Sequence, residues 1–262
     1  MSTHADPLDA TTSDKLRSRS GLVSAELRDE ILRGRYRAGD RLPSERDLAD
    51  RFSVHRGTVR EALKQLEQLG LAEIRPGGGA RVQPLESASL DVVAHLLELD
   101  DPPEPRLVDQ LLEALSGLFA LAARLGAERA DETQRDRVKT LLLRLEDTAL
   151  DLDERHDTMH QLGDAFVEAS GNLVLQLVRH GLKSRQIFDR LHEHNTFLAR
   201  DRSPAIGAVW LPHLREALDA RDGAAAANAV HQMTLEFRRF ARETLEARLR
   251  NESDAAHVNG VR

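Results

Sequence analysis

Apolar positions in the first 85 residues recur at helical spacing in three stretches and then alternate with polar ones in two short stretches. The first helical stretch ends at Gly34, the second is capped by Ser44, and the third begins near His55 and ends at Gly70. The two alternating stretches, LAEIR and ARVQP, are joined by a PGGG turn, which is typical of a hairpin. Three helices, with a short turn between the last two and a hairpin after them, predict a winged helix-turn-helix.

The rest of the chain keeps the helical spacing and has no strand signal. The sequence therefore predicts a mainly α fold, in which a winged helix-turn-helix with a small β-hairpin wing spans 20–84. A linker is expected over 85–104, where DDPPEP interrupts any helix, and an all-α helical bundle over 105–250. Residues 1–19 and 251–262 lack periodicity, so we expect a disordered arm and a disordered tail there.

Composition adds a charge asymmetry to this division. The net charge is −7, yet residues 15–85 carry 15 Lys and Arg against 10 Asp and Glu, whereas 86–262 carry 22 against 31. A basic N-terminal part joined to an acidic remainder indicates that only the first part contacts a polyanion. The chain has no cysteine, which excludes disulfides and thiolate metal sites. It also has no long apolar run or signal-peptide pattern, so we expect a cytoplasmic protein with no membrane partner.

The third helix, SVHRGTVREAL and beyond, combines an apolar face with a cationic first turn. Val59, Leu63 and Leu66 form the apolar stripe, and the side chains around Arg56 and Arg60 are expected largely off it. Free backbone N–H groups at a helix start favour phosphate, and arginine can donate two hydrogen bonds to guanine. A solvated helix face would explain one arginine, but it leaves the repeated arginines, the preceding short helix and the hairpin unexplained.

These residues resemble the winged-helix domain of the GntR family. The resemblance is carried by LPSERDLA at Leu42–Ala49, RGTVREAL at Arg56–Leu63 and the wing glycines Gly77–Gly79. It implies a double-stranded DNA operator as partner and a set of DNA-contacting residues: Ser44, Arg46, His55, Arg56, Gly57, Thr58, Arg60 and Gly77. His55 departs from the family pattern, because Ser or Thr is usual there and histidine is a poorer N-cap.

The helical half resembles the FCD-type effector domain of the FadR branch of that family, through EASGNLVLQLV at Glu168–Val178 and the turn ALDARDG. The resemblance implies a homodimer that binds a small-molecule effector. The expected function is therefore an effector-responsive transcription regulator, in most relatives a repressor, that binds a palindromic operator. An enzyme is not expected, because the chain has no phosphate-binding glycine loop, nucleophile elbow or cysteine.

Many members of that branch hold a divalent metal through one Asp and three His. Counting from Asn172 and Asp222 puts the family's ligand positions on residues that cannot coordinate a metal, and the polar pair usual on the first helix also becomes apolar. No cofactor is therefore favoured, and the sharper interpretation is an apolar pocket for an acyl-type, hydrophobic effector. The residues assigned to this pocket are Leu111, Leu115, Met159, Gly163, Leu211 and Met233.

Two alternatives stay open at the level of sequence. In the first, the alignment counted from Asn172 and Asp222 is shifted by a few residues, and a divalent metal binds His156, His160, His213 and His231. The chain would then be a metal-dependent, carboxylate-sensing regulator of the same family. Ordinary core packing of the same apolar positions would instead leave a collapsed cavity with no ligand.

Overall fold

The computed structural model describes residues 7–182, 187, 189 and 203–259, and the chain divides into two compact units after Leu99. Helices dominate both units, and the two strands form one antiparallel hairpin. This confirms the predicted fold class of a winged helix-turn-helix with a small hairpin and a helical C-terminal part. Within the described residues, no helix has the length and apolarity that crossing a membrane requires.

The N-terminal unit contains three helices, the hairpin and a short fourth helix. Their bounds are α1 Pro7–Leu32, α2 Glu45–Phe52, α3 Arg56–Gln68, β1 Ala72–Arg75, β2 Gly79–Val82, a 3₁₀ turn Leu85–Ser87 and α4 Val92–Glu98. In the hairpin, Ala72 pairs with Val82 and Arg75 with Gly79. Leu27, Leu48, Val59 and Leu66 are fully buried at the centre of one apolar core, which explains why these helices form together.

The structure differs from the expected boundaries of this unit in two places. The helix α1 begins at Pro7, inside the segment 1–19 that lacks apolar periodicity. Proline suits a first helical position, and no other proline occurs before Pro43. Residues 85–99 belong to the N-terminal unit rather than to a linker, because Val92 and Leu97 are buried and Val92 joins its core.

The second unit consists of six helices among the described residues. They are α5 Pro105–Arg129, α6 Glu132–Glu146, α7 Leu152–Ala169, α8 Leu173–Gly181, α9 Ser203–Asp219 and α10 Gly223–Asn259. Side-chain caps define several starts: Asp131 and Asp151 each form a capping box, and the Asn172 amide oxygen accepts from Val174 and Leu175 N–H. The helix α10 continues to Asn259, past the expected end at 250, because no glycine or proline interrupts it before Gly260.

Helix α5 is central to this unit, since it packs against α10 along much of its length and against α7. The Arg238 side chain donates to both carboxylate oxygens of Asp109, at 3.0 and 3.1 Å, and so fixes α10 to α5. Arg155 is buried and donates to the carbonyls of Leu145 and Asp147. It thereby caps the C-terminal end of α6, where backbone acceptors are otherwise unsatisfied.

Candidate functional site

Helices α2 and α3 are joined by a short turn, and the residues that begin and end the two helices can be identified from the sequence. The Ser44 hydroxyl accepts from Asp47 N–H at 3.2 Å and donates to the Asp47 carboxylate at 2.7 Å, which fixes the start of α2. Ser53 ends α2 in the left-handed conformation, at φ 53°. His55 is the N-cap of α3 but makes no side-chain capping bond, as expected of histidine. No side chain therefore caps the first turn of α3, although the Thr58 N–H donates to the carbonyl of His55 at 2.9 Å.

The structure leaves seven of the eight candidate DNA-contacting residues exposed on the N-terminal unit. Arg46 and Arg60 have side chains 74% and 64% exposed. Thr58 is the exception, at 4% exposed, although it was expected largely off the apolar stripe. The reason is helical spacing, because Thr58 lies four residues before Ala62 and eight before Leu66 on the buried face. The exposed set is Ser44, Arg46, His55, Arg56, Gly57, Arg60 and Gly77.

The arginines of this surface differ in how they are held. The Arg60 Nε donates to Glu45 Oε2 at 2.7 Å, across the turn between α2 and α3. That bond orients the guanidinium and does not involve Nη1 or Nη2. These two nitrogens can therefore donate to a guanine edge or to a phosphate. Arg46 lies 3.9 Å from Asp50, a contact too exposed to hold it firmly. Arg56 has no ion pair within the described part of the chain.

The hairpin tip lies at Arg75–Gly79 and is exposed throughout. Gly77 has φ +70°, a backbone conformation that residues with side chains rarely adopt, and a methyl group there would meet no atom within 4 Å. The tip thus offers a bare backbone turn, and the exposed Arg75 side chain lies beside it, paired with Glu73. The Arg75 hydrogen bonds lower the pKa of Glu73 below its usual value.

The second unit contains a partly open, largely apolar cavity of about 70 Å³. Residues from α5, α7, α8, α9 and α10 contribute to it, so the cavity lies between these helices. Its wall is formed by Phe119, His156, Met159, His160, Leu162, Gly163, Phe166, Arg179, Leu214, Val230, Met233, Thr234 and Phe237. Two methionines in the wall allow its shape to change, because methionine side chains have several low-energy rotamers.

Three of the six residues assigned to an apolar pocket line this cavity: Met159, Gly163 and Met233. Leu111 and Leu211 are buried without lining it, and Leu115 lines a smaller neighbouring pocket. On α9 it is Leu214, three residues after Leu211, that reaches the cavity. The difference is less than one helical turn, and spacing counted from a distant turn cannot resolve it.

The four histidines considered as metal ligands do not come together. His156 and His160 share the cavity wall, with ring centroids 4.8 Å apart, and His156 Nε2 lies 2.8 Å from Asp189 Oδ1. His213 is exposed and contacts the carbonyl of Val209, and His231 is exposed with Nδ1 3.4 Å from Ser116 Oγ. In the described residues, the possible ligand group is His156, His160 and Asp189, with atoms within 4.8 Å of one another.

Sequence reasoning missed Arg179, the cation of the cavity wall. Its guanidinium Nη2 donates to the carbonyl of His160 at 3.0 Å, and its Nε donates to Asp164. The available signal was a lone arginine near the end of the apolar run NLVLQLVRHG, where its charge also suits the helix C-terminus. That signal does not say which way the side chain points, because both a cavity and solvent lie within reach of a long side chain.

Comparisons with known proteins agree with this architecture. Residues 20–82 match the family model described as bacterial regulatory proteins, gntR family. The fatty acid metabolism regulator protein of Salmonella paratyphi C is 26% identical over 74% of this chain and 79% of its own length. The protein of the same name from Erwinia tasmaniensis is 29% identical over 69% of this chain and 74% of its own.

Among solved structures, Lar, which controls the expression of the Listeria monocytogenes agr system, aligns with a TM-score of 0.53. It covers 86% of this chain and 96% of its own, at 19% identity, and this likeness concerns the fold alone. The family match falls on the helices and hairpin that expose the arginines, and the curated relatives are regulators rather than enzymes. Residues 20–82 thus match the gntR-family model of bacterial regulatory proteins, and most of the chain is similar in sequence to fatty acid metabolism regulators.

Proposed function

We propose that this regulator binds a palindromic operator as a homodimer, represses from it, and is released by a hydrophobic effector held in the cavity of the helical unit. The observation that carries the proposal is the pairing of two surfaces in one chain. One is the exposed set of Arg46, Arg56 and Arg60 in the same unit as the exposed Gly77 turn, and the other is the largely apolar cavity. A homodimer presents two identical winged helix-turn-helix units related by a twofold axis, and a palindromic operator has the same symmetry.

The chemical class of the effector is supported by the cavity wall. The cavity is surrounded by apolar side chains, among them Phe166, Leu214, Val230 and Phe237. Transfer of an apolar molecule from water into this cavity therefore lowers the free energy. The curated relatives are named fatty acid metabolism regulators. An acyl-type effector fits both the wall and those names. The cavity has room for about five water molecules, so an acyl chain enters by displacing Met159 and Met233.

The test of DNA binding uses Arg56→Ala and Arg60→Ala in the full chain. We expect each to lose about 1–3 kcal/mol of discrimination for operator over random DNA, because each removes a guanidinium from α3. The readout is fluorescence anisotropy with operator and scrambled duplexes, where the operator is first selected from a random library. Arg137→Ala is the matched control, because Arg137 is an exposed, ion-paired arginine of the helical unit.

Both α3 variants are expected to keep the oligomeric state of the wild type, since neither position is buried. Wild-type discrimination in both variants would contradict the assigned role of α3. A selected operator without two related half-sites would contradict the dimeric mode of binding.

A second candidate, a metal-dependent carboxylate sensor, is favoured by one observation. His156, His160 and Asp189 supply two imidazoles and a carboxylate, a ligand set suited to a divalent transition metal. A metal there would leave coordination positions for a carboxylate from the cavity. Native mass spectrometry separates the candidates: one metal per chain supports the sensor, whereas a metal-free protein with acyl adducts supports the hydrophobic effector.

A further inference from the structure

Arg179 places a positive charge in the wall of the largely apolar cavity, whose other polar lining residues are His156, His160 and Thr234. Among the described residues that line the cavity, it is the only lysine or arginine, and none is aspartate or glutamate. Its side chain is 11% exposed, and its guanidinium lies 5.5 Å from the ring centre of Phe119. A largely buried cation in a mostly apolar wall attracts an anionic group, because opposite charges interact more strongly where water is scarce.

The hydrogen bonds of Arg179 leave part of its guanidinium available. Nε donates to Asp164 and Nη2 to the carbonyl of His160, whereas Nη1 has no partner in the part of the chain that the structure describes. Nη1 lies against Gly163, where a methyl group would be 3.0 Å from it. Gly163 also lines the cavity. The missing side chain at Gly163 therefore gives the guanidinium its place at the cavity wall.

The present partner of Arg179 is a carboxylate that can be exchanged. The Asp164 side chain is 60% exposed and does not line the cavity. An ion pair with so exposed a carboxylate contributes little, since water solvates Asp164 equally well when it turns away. A carboxylate that enters from the cavity side would be less hydrated and would bond the same guanidinium more strongly.

We propose that the cavity binds an amphipathic carboxylate, with its apolar body among Met159, Met233 and Phe237 and its carboxylate on Arg179. The inference rests on the proposed function of the cavity as an effector site and adds the class of ligand: a free acid with one anionic end. Asp164 competes for the guanidinium in the absence of ligand. Removing that competitor therefore strengthens binding, whereas removing Arg179 abolishes the preference for an anion.

The experiment measures binding of two probes of equal chain length, octanoate and 1-octanol, to the full chain by isothermal titration calorimetry. We expect the wild type to prefer octanoate by about tenfold or more, the effect of a charge-assisted hydrogen bond in a water-poor site. Arg179→Met is expected to lose that preference and still bind octanol. Asp164→Asn is expected to tighten octanoate binding severalfold and to leave octanol unchanged.

Arg137→Met is the matched control, because it removes an arginine from an exposed ion pair of the same unit and outside the cavity. Octanol and octanoate binding equally to the wild type would overturn this inference and leave the apolar effector site standing. Binding of neither probe to the wild type would overturn the proposed effector site itself. If Arg179→Met does not fold, Asp164→Asn provides the test of the Arg179 site. An unchanged octanoate affinity in Asp164→Asn would then overturn the proposal that the ligand carboxylate replaces Asp164 on Arg179.

Discussion

Glu30 is a buried carboxylate that ties α1 to α2. Its two oxygens accept from Arg51 Nη1 at 2.9 Å and Nη2 at 2.6 Å, and Arg35 donates to it as well. The hydrogen bonds from Arg51 hold the pKa of Glu30 below its usual value, although burial acts in the opposite direction. The paired, ionised carboxylate thus stabilises the N-terminal unit.

We expect Glu30→Gln to lower the free energy of unfolding at pH 7 by about 2 kcal/mol, because the buried charge-assisted bonds are lost. A depressed pKa contributes stability in full above the unfolded value near 4.5 and loses it as the pH falls through the folded value. The difference between variant and wild type should therefore shrink below pH 4.5. Urea unfolding from pH 7 to pH 3 measures it.

Glu26→Gln provides the comparison, because Glu26 bonds the same Arg51 at 3.0 Å with a side chain that is 57% exposed. A change below about 0.5 kcal/mol is expected for this exposed pair. Equal losses in the two variants, or a gap that does not depend on pH, would contradict the role given to Glu30.

At the scale of elements, the end of α3 shows where a glycine is required for two reasons. Gly70 has φ +71°, and a methyl group there would lie 2.5 Å from the carbonyl oxygen of Ser87. Gly34, which ends α1, has φ +75° with no atom near the same position. The two glycines share the backbone conformation and differ only in crowding, so they separate strain from steric overlap.

We expect Gly34→Ala to cost about 1 kcal/mol of unfolding free energy, the cost of a left-handed residue. Gly70→Ala should cost more, about 3 kcal/mol, because Ser87 and Ala88 must also move. Chemical denaturation of both variants tests this. A loss at Gly70 no greater than that at Gly34 would mean that the 3₁₀ turn moves freely.

Local sequence signals predicted where helices and the hairpin begin and end better than they predicted the burial and direction of individual side chains. Ser44 and the PGGG turn mark a helix start and a hairpin through interactions within a few residues, and both appear where the sequence indicates. The direction of the Arg179 side chain could not be predicted in this way, because it depends on a cavity formed by five helices. Thr58 was misplaced for a different reason: its spacing from Ala62 and Leu66 puts it on the buried face of α3, and its polar residue type was given more weight than that spacing.

For the whole molecule, the separation of charge sets how DNA binding responds to salt. The basic residues of 15–85 exceed the acidic ones by five, whereas the remainder of the chain after 85 is acidic. Only the basic part attracts phosphate, and the acidic remainder is repelled by it. Association is therefore oriented before any base is read.

We expect the logarithm of the operator affinity to fall linearly with the logarithm of salt concentration, with a slope steeper than about −3 for the dimer. Arg46→Ala should make the slope shallower by about two, one phosphate contact per protomer. Anisotropy titrations between low and physiological salt provide the slope. An unchanged slope in Arg46→Ala would remove Arg46 from the phosphate-contacting set.

The burial pattern of α3 separates positions that can be substituted without disturbing the core from one that cannot. His55, Arg56, Gly57 and Arg60 are exposed, whereas Thr58 is buried between them in sequence. Under the proposed function, we expect substitutions at the four exposed positions to change which DNA sequences the protein binds and to leave its core intact. A substitution at position 58 is expected to alter the core packing as well. Operator preference can therefore change more readily through the four exposed positions than through position 58.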